Sequence, residues 1–279
     1  MSKKKFGGKW TIEKLDIFSD YLNAYTVALK NQPFKKIYID AFAGTGEIET
    51  ADGTESIIGS VRLALNAKNK FDYYIFIEKD TNKAQELKDL IEAEYPQFKS
   101  IIEIRNDDCN IVLKELCENI DWKNNRALLF LDPYATEVPW STLEIVSKTK
   151  AIDLWYLFPI CAAQRMLPNS NVPVESWKAK LNMLFGDTGW ENEFYKENPQ
   201  LNIFGATELV KGVNANEIKV YILKRLKTVF PAVANNPRLL HNNKNSPLFL
   251  FCFAVSNDNG KAIGLALKIA NHILNKEIQ

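Results

Sequence analysis

The sequence predicts an α/β chain, a doubly wound and mostly parallel sheet of seven strands with a helical insertion after the fifth strand. Three observations predict it. Short, almost uninterrupted apolar runs at 37–41, 73–77, 101–105, 126–131 and 152–158 alternate with segments of helical period, which is the signature of parallel strands covered on both faces. The first four runs each carry an acid at or just beyond their end: Asp40, Glu78, Asp108 and Asp132. The first run also leads into a tight turn with two glycines, Gly44 and Gly46.

Each element has its own justification. Ile12, Leu15, Phe18, Leu22, Tyr25 and Leu29 recur at steps of three and four. They form one helix stripe, with Thr11 placed as N-cap and Pro33 as terminator. After the first strand and its turn, Glu47 to Ser60 reads as a polar loop, and Val61 to Ala67 resumes helical character. The second strand ends at Glu78, and a helix over 81–94 closes at Tyr95-Pro96. The third strand runs into Asn106-Asp107-Asp108-Cys109-Asn110, and Ile111 to Cys117 supplies a helix. The fourth strand ends in Asp132-Pro133-Tyr134, and Ser141 is the expected cap of a short helix. The fifth strand stops at Pro159.

The alternation then breaks. Residues 161–216 are rich in Asn, Pro, Trp and Phe and read as an inserted lid of small helices within a single domain spanning 1–279. A helix over 218–230 follows, then Arg238 to His241 as hairpin partner of the apolar strand 248–255, and a last helix over 262–274.

Bulk properties narrow the class. The 279 residues are 46% hydrophobic and 25% charged, the composition of a soluble globular protein. Net charge is +1, from 35 basic and 34 acidic residues, so no global basic field announces a nucleic-acid partner. The basic start, Met1-Ser2-Lys3-Lys4-Lys5, precedes no apolar core of signal length, and no run approaches the roughly 20 apolar residues of a membrane span. Cys109, Cys117, Cys161 and Cys252 lack any Cys-x-x-Cys pair, which argues against a zinc site and a disulfide framework. No metal and no membrane partner are expected, and the default location is cytoplasmic.

The chemistry is carried by the strand ends. Asp40-x-Phe42-Ala43-Gly44-Thr45-Gly46 has Gly-x-Gly without a third glycine three residues on. It therefore lacks the dinucleotide fingerprint and looks like the first motif of S-adenosylmethionine-dependent methyltransferases. Ligands of open parallel sheets bind outside the carboxyl ends of the strands. Four acids there suit a ligand with an ammonium, a sulfonium, a ribose diol and an adenine amine. The expected cofactor contacts are Asp40 to the ammonium, Phe42, Ala43, Gly44 and Gly46 along the turn, Glu78 to the ribose hydroxyls, and Asp108 with Cys109 at the adenine. Asp108 is equally expected as a helix N-cap.

Asp132-Pro133-Tyr134 looks like the acid-Pro-Pro-aromatic string of enzymes that methylate exocyclic amines of bases, with one proline in place of two. An aromatic amine is a poor nucleophile because its lone pair is delocalised. An acceptor at Asp132, with a backbone carbonyl near Pro133, localises that pair, and Tyr134 stacks on the flat acceptor. A base in a duplex must first be rotated out. Arg165, Lys178, Lys180, Lys211, Arg225 and Lys227 are candidate clamp contacts.

Together these strings resemble a bacterial family, the three-Cys-motif partner (TcmP) proteins. The matching pieces are Trp10-Thr11 with Lys14-Leu15, the run from Tyr38 to Gly46, the run from Phe130 to Trp140, and the run from Asp153 to Pro159. Family members more often carry Pro at the position of Thr45 and Gly at that of Ala135. The resemblance implies a Rossmann-like, class I methyltransferase fold. It also implies a partner protein with a cysteine-rich, radical-type iron–sulfur motif. The expected function is an S-adenosylmethionine-dependent methyltransferase acting on an exocyclic amine of a DNA or RNA base. The alternative is a methyltransferase-like partner or regulatory module of the iron–sulfur protein, with weak or no activity of its own. A third reading, Cys161 as a covalent nucleophile, is disfavoured because it does not follow the proline of the fourth strand.

Overall fold

The computed structural model describes residues 8–49, 56–198 and 209–276. The basic start, Met1 to Lys5, lies outside them. The chain opens with helix α1 (Lys9–Ala28), then strand β1 (Lys35–Asp40), a hairpin of β2 (Glu47–Glu49) and β3 (Ser56–Ile58), and α2 (Ser60–Asn66). Next come β4 (Tyr73–Ile77), α3 (Thr81–Glu94), a 3-10 turn over Pro96–Ile101, β5 (Ile102–Arg105), α4 (Cys109–Asn119), β6 (Asn125–Leu131), α5 (Trp140–Lys148) and β7 (Ile152–Phe158). The expected insertion holds α6 (Ile160–Met166), α7 (Glu175–Phe185), α8 (Trp190–Phe194), β8 (Tyr195–Glu197) and β9 (Leu209–Lys211). The chain continues through α9 (Ala215–Val229), β10 (Ala232–Val233), β11 (Arg238–His241), β12 (Pro247–Val255) and α10 (Gly260–Leu274).

The main sheet has the order β10-β12-β7-β6-β1-β4-β5. Strands β5, β4, β1, β6 and β7 are parallel, and β12 runs antiparallel to β7. Strands β10 and β11 pair with successive stretches of β12, at Ala232↔Val255 and Arg238↔Phe251. They form one edge position broken in the middle, so the sheet is seven positions wide but holds eight strands, one more than the seven expected. The order reverses between β1 and β6, the kind of switch point outside which open α/β sheets bind ligands.

Strand side chains alternate between two cores, as the pleat requires. Tyr38, Tyr74, Phe76, Leu128, Phe130, Trp155, Phe251 and Phe253 face α1, α2, α3 and α10. Ile39, Ile75, Leu129, Leu131, Leu154, Tyr156 and Leu250 face α4 to α9. The first core is built of aromatics: Phe18 stacks on Phe130 at 4.1 Å, and Tyr21 meets Trp155 and Phe253 at 5.3 and 4.8 Å between ring centroids. The insertion joins the second core, where Phe185 packs on Phe158 at 6.0 Å and Tyr221 on Phe194 at 5.0 Å.

Several local expectations are corrected. Thr11 is not the N-cap of α1. Gly8 is, and Thr11 sits one turn in, where its buried hydroxyl accepts the Gly8 N–H at 3.4 Å. Ser141 does not cap α5 either; that helix starts after Pro139, whose fixed φ suits the entry and whose carbonyl accepts the Thr142 N–H at 3.0 Å. The polar stretch 47–60 is not simply a loop: it forms the β2–β3 hairpin, closed where the Gly59 N–H reaches the Gly46 carbonyl at 3.2 Å. Any Cβ on Gly59 would lie 2.7 Å from that carbonyl oxygen. Residues 50–55, also within that stretch, lie outside the described residues. The insertion is not all helical, because β8 and β9 pair within it.

Candidate functional site

The four acids stand in spatial order along the carboxyl edge of β5, β4, β1 and β6. Asp40 is the last residue of β1, Asp132 follows β6 directly, and the two strands pair in register through Asp40↔Phe130. Glu78 follows β4, and its N–H bonds the Arg105 carbonyl of β5 at 3.0 Å. The turn after β1 is tied down on both sides: the Ala41 N–H reaches the Phe130 carbonyl at 3.0 Å and the Ala43 N–H the Ile77 carbonyl at 2.9 Å.

Gly44 and Gly46 adopt φ of +62° and +83°, the left-handed region that glycine enters without steric cost. A Cβ on Gly44 would meet nothing within 4 Å. The turn is thus bent by glycine and faces open space at Gly44. Ala43 is buried, and half-buried Phe42 packs against the α4–α9 core.

Asp40 is fully buried. It accepts the Tyr38 hydroxyl at 3.1 Å and the Phe42 N–H at 3.3 Å, and Ser60 also bonds it. Burial pushes its carboxyl up to about 6, against the pull of those bonds from Ser60, Phe42 and Tyr38, and the nearby Asp132 charge adds to the rise. Glu78 is held by two backbone donors, Gly44 N–H at 2.9 Å and Asp80 N–H at 2.8 Å. Ionised carboxylates have about four acceptor positions, so these two donors orient Glu78 and leave it acceptors for a diol.

Asp108 caps α4 through the Asn110 N–H at 2.9 Å and pairs with the Lys79 ammonium at 3.0 Å. Burial raises its carboxyl, but Lys79 and the Asn110 bonds outweigh that and bring it below the ordinary range. Cys109 is buried, and burial pushes its thiol up to about 12. Burial also raises the Cys161 thiol, the opposite of what a thiolate nucleophile needs.

Asp132 is the member whose surroundings sequence reading missed. Its Oδ2 pairs with the ammonium of Lys14, which reaches down from α1. Lys14 is only 3% exposed, and its ammonium lies 5.3 Å from the Trp10 ring centroid and 5.8 Å from that of Phe130. The signal was present: Thr11, Lys14, Leu15 and Phe18 occupy one helical stripe, where a lysine is out of place unless paired. Pro133 is buried, while Tyr134 is 56% exposed with Lys83 of α3 5.2 Å from its ring centroid. A side chain from beyond β6 thus meets one from beyond β4, across the tip of β1.

Most candidate clamp cations are engaged within the protein. Arg225 pairs with Asp187 at 2.9 Å and donates to the Phe185 carbonyl at 3.0 Å. Lys178 pairs with Glu191, Lys211 reaches the Leu167 carbonyl, and Lys227 reaches Asn235. Arg165 and Lys180 are exposed. A cavity of about 390 Å³ lies between α3 and β5, lined by Ala84, Lys88, Ile91, Ile102 and Ile104 among others; none of the four acids lines it. Among the described residues no cluster of His, Cys, Asp or Glu is arranged to hold a metal ion, and no helix is long and apolar enough to cross a membrane.

Solved structures share this architecture at low identity. A Legionella pneumophila (strain Philadelphia 1) protein of family DUF519 superposes with a TM-score of 0.51 at 12% identity, covering 98% of this chain and 94% of its own. The likeness is one of fold, a mixed α/β chain around a large, mostly parallel sheet. Slighter likenesses are to spermidine synthase from Thermotoga maritima (TM-score 0.43, 11% identity, 97% of this chain and 67% of that one) and to the methyltransferase domain of bacterial CtHen1-C (0.42, 11%, 86% and 98%). No protein-family model matches the chain, and no curated protein matches it in sequence.

Proposed function

We propose that the chain is an S-adenosylmethionine-dependent methyltransferase whose acceptor is an exocyclic amine of a nucleic-acid base. One observation carries the reading. Asp40, Glu78 and Asp132 end three neighbouring parallel strands around a glycine turn that faces open space. The donor set fits the cofactor: carboxylates for its ammonium and ribose diol, and a bare backbone turn where a side chain would intrude. Asp40 and the turn over 42–46 would hold the methionine end, Glu78 the ribose, and Asp108 with Cys109 the adenine. The bound cofactor would supply a methyl group on a sulfonium centre. Asp132 would accept an N–H of the substrate amine and localise the nitrogen lone pair, and exposed Tyr134 would stack on the base. Most of the acceleration then comes from positioning and preorganised charge.

Calorimetric titration of the purified chain with S-adenosylhomocysteine tests the cofactor. Transfer of tritium from methyl-labelled S-adenosylmethionine to total RNA and to genomic DNA tests the acceptor. Absence of cofactor binding would sink the reading; binding with transfer to neither nucleic acid would remove the acceptor class.

A second reading has one observation of its own. Oδ2 of Asp132 is already engaged by Lys14, as in a chain that keeps the fold to serve a cysteine-rich iron–sulfur partner without transferring methyl groups. Asp132→Asn separates the two: loss of cellular function favours the enzyme, and retained function with co-purification of the partner favours the module.

A further inference from the structure

Among the described residues, Lys14 is the only buried basic side chain. Taking an ammonium out of water is costly even when it is paired. A leucine or methionine at this stripe position would serve packing alone more cheaply. The placement of Lys14 therefore calls for a reason beyond packing, and its surroundings supply one.

Among the described residues its ammonium has one acceptor, Oδ2 of Asp132, with aromatic rings of Trp10 and Phe130 nearby. The other oxygen, Oδ1, has no hydrogen-bond partner among the described residues, and the Asp132 side chain keeps 22% of its surface exposed. Asp132 has a second carboxylate on the same face of the sheet. Asp40 is close enough for the two charges to be felt, and so is Tyr38. Two neighbouring carboxylates resist ionising together. Asp40 has hydroxyl and N–H donors but no cation, whereas Asp132 has the ammonium. The ammonium thus meets the more exposed of the two carboxylates.

We propose that Lys14 is a positioning residue for the acceptor chemistry: it pins Oδ2 of Asp132, so that Oδ1 is the oxygen turned to the substrate amine. The ion pair then readies the acceptor instead of blocking it. For its substrate the inference rests on the methyltransferase reading; for its geometry it rests on the ion pair alone.

The experiment compares the orientation of the Asp132 carboxylate in crystal structures of wild type, Lys14→Met and Lys14→Gln, and measures methyl transfer by the same variants as kcat and KM. Lys14→Met is expected to let the carboxylate turn from its wild-type orientation and to lower kcat by about tenfold or more, with KM little changed. Lys14→Gln keeps a donor for Oδ2, covers the case in which Lys14→Met does not fold, and is expected to keep the wild-type orientation and recover part of the rate. S-adenosylhomocysteine affinity is measured in the same samples and is expected to stay within about threefold of wild type. A folded Met variant whose carboxylate stays in place, or a folded Gln variant whose carboxylate turns away, overturns the inference. Failure of wild type to bind S-adenosylhomocysteine overturns the cofactor reading instead, and leaves the orientation of Asp132 to decide on Lys14.

Discussion

The Glu78 carboxylate accepts the backbone N–H of Gly44 at 2.9 Å. This bond ties the acid beyond β4 to the turn beyond β1, and the second oxygen ties it to Asp80, which caps α3. The glycine turn, the β4 tip and the α3 N-terminus are therefore one unit. Charge-assisted hydrogen bonds are worth roughly 1.5–3 kcal/mol. Glu78→Ala should weaken S-adenosylhomocysteine binding by about 10- to 100-fold, read by calorimetry, with Glu78→Gln in between. An unchanged Kd would place Glu78 outside the ligand's surroundings.

Two glycines of positive φ should respond oppositely to alanine. At Gly186 (φ +75°) a Cβ would lie 2.1 Å from the Trp140 ring, so strain and collision combine. Gly186→Ala is expected to destabilise the fold by about 3 kcal/mol or more. At Gly44 the Cβ meets only open space, so Gly44→Ala should cost only about 1 kcal/mol of backbone strain. It should nevertheless weaken cofactor binding by tenfold or more, on the order of the lost close approach. Chemical denaturation and calorimetry on both variants check the contrast.

Cofactor affinity should depend on pH through Asp40. Burial holds its carboxyl up to about 6, so the group is neutral at pH 5 and ionised at pH 7. A ligand ammonium prefers the ionised form. S-adenosylhomocysteine should therefore bind several-fold more tightly at pH 7 than at pH 5, and Asp40→Asn should flatten the profile. A flat wild-type profile would show that Asp40 does not sense the ammonium.

Stability should fall with rising pH through Asp153, at the other end of the sheet. Tyr21 donates to its Oδ2 at 2.8 Å. Burial pushes the Asp153 carboxyl up to about 7, against the Tyr21 bond and the Arg126 charge. The folded chain keeps this proton to about pH 7, whereas an unfolded aspartate releases it near pH 4. The penalty thus grows between those values and is complete above them. Asp153→Asn should gain about 1–2 kcal/mol at pH 8 and nothing at pH 4, as measured by urea denaturation.

The sheet was legible because strands buried on both sides have little freedom of composition. The runs 73–77 and 152–158 match β4 and β7 residue for residue. Helix entries were less legible, because they depend on which backbone donors are exposed. Thr11 and Ser141 are good caps by type, yet the chain starts its helices two or more residues earlier, at Gly8 and Pro139. The β2–β3 hairpin was missed because its strands are only three residues long. At the site, the acids could be read from strand ends. The Lys14 ion pair could not be named, since its partners stand 118 residues apart in sequence and only the fold brings α1 over the tip of β6.

The aromatic face of α1 has a consequence for biosynthesis. Tyr21 is made early, but it packs on Trp155 and Phe253, which emerge from the ribosome much later. At typical elongation rates that wait lasts roughly ten to fifty seconds. During it the Tyr21 ring lacks its native cover, although Phe18 and Tyr25 meet Tyr38, Phe71 and Phe130 sooner. The nascent chain is therefore expected to lean on holding factors until β12 has been synthesised, and slow codons late in the message should lengthen that dependence.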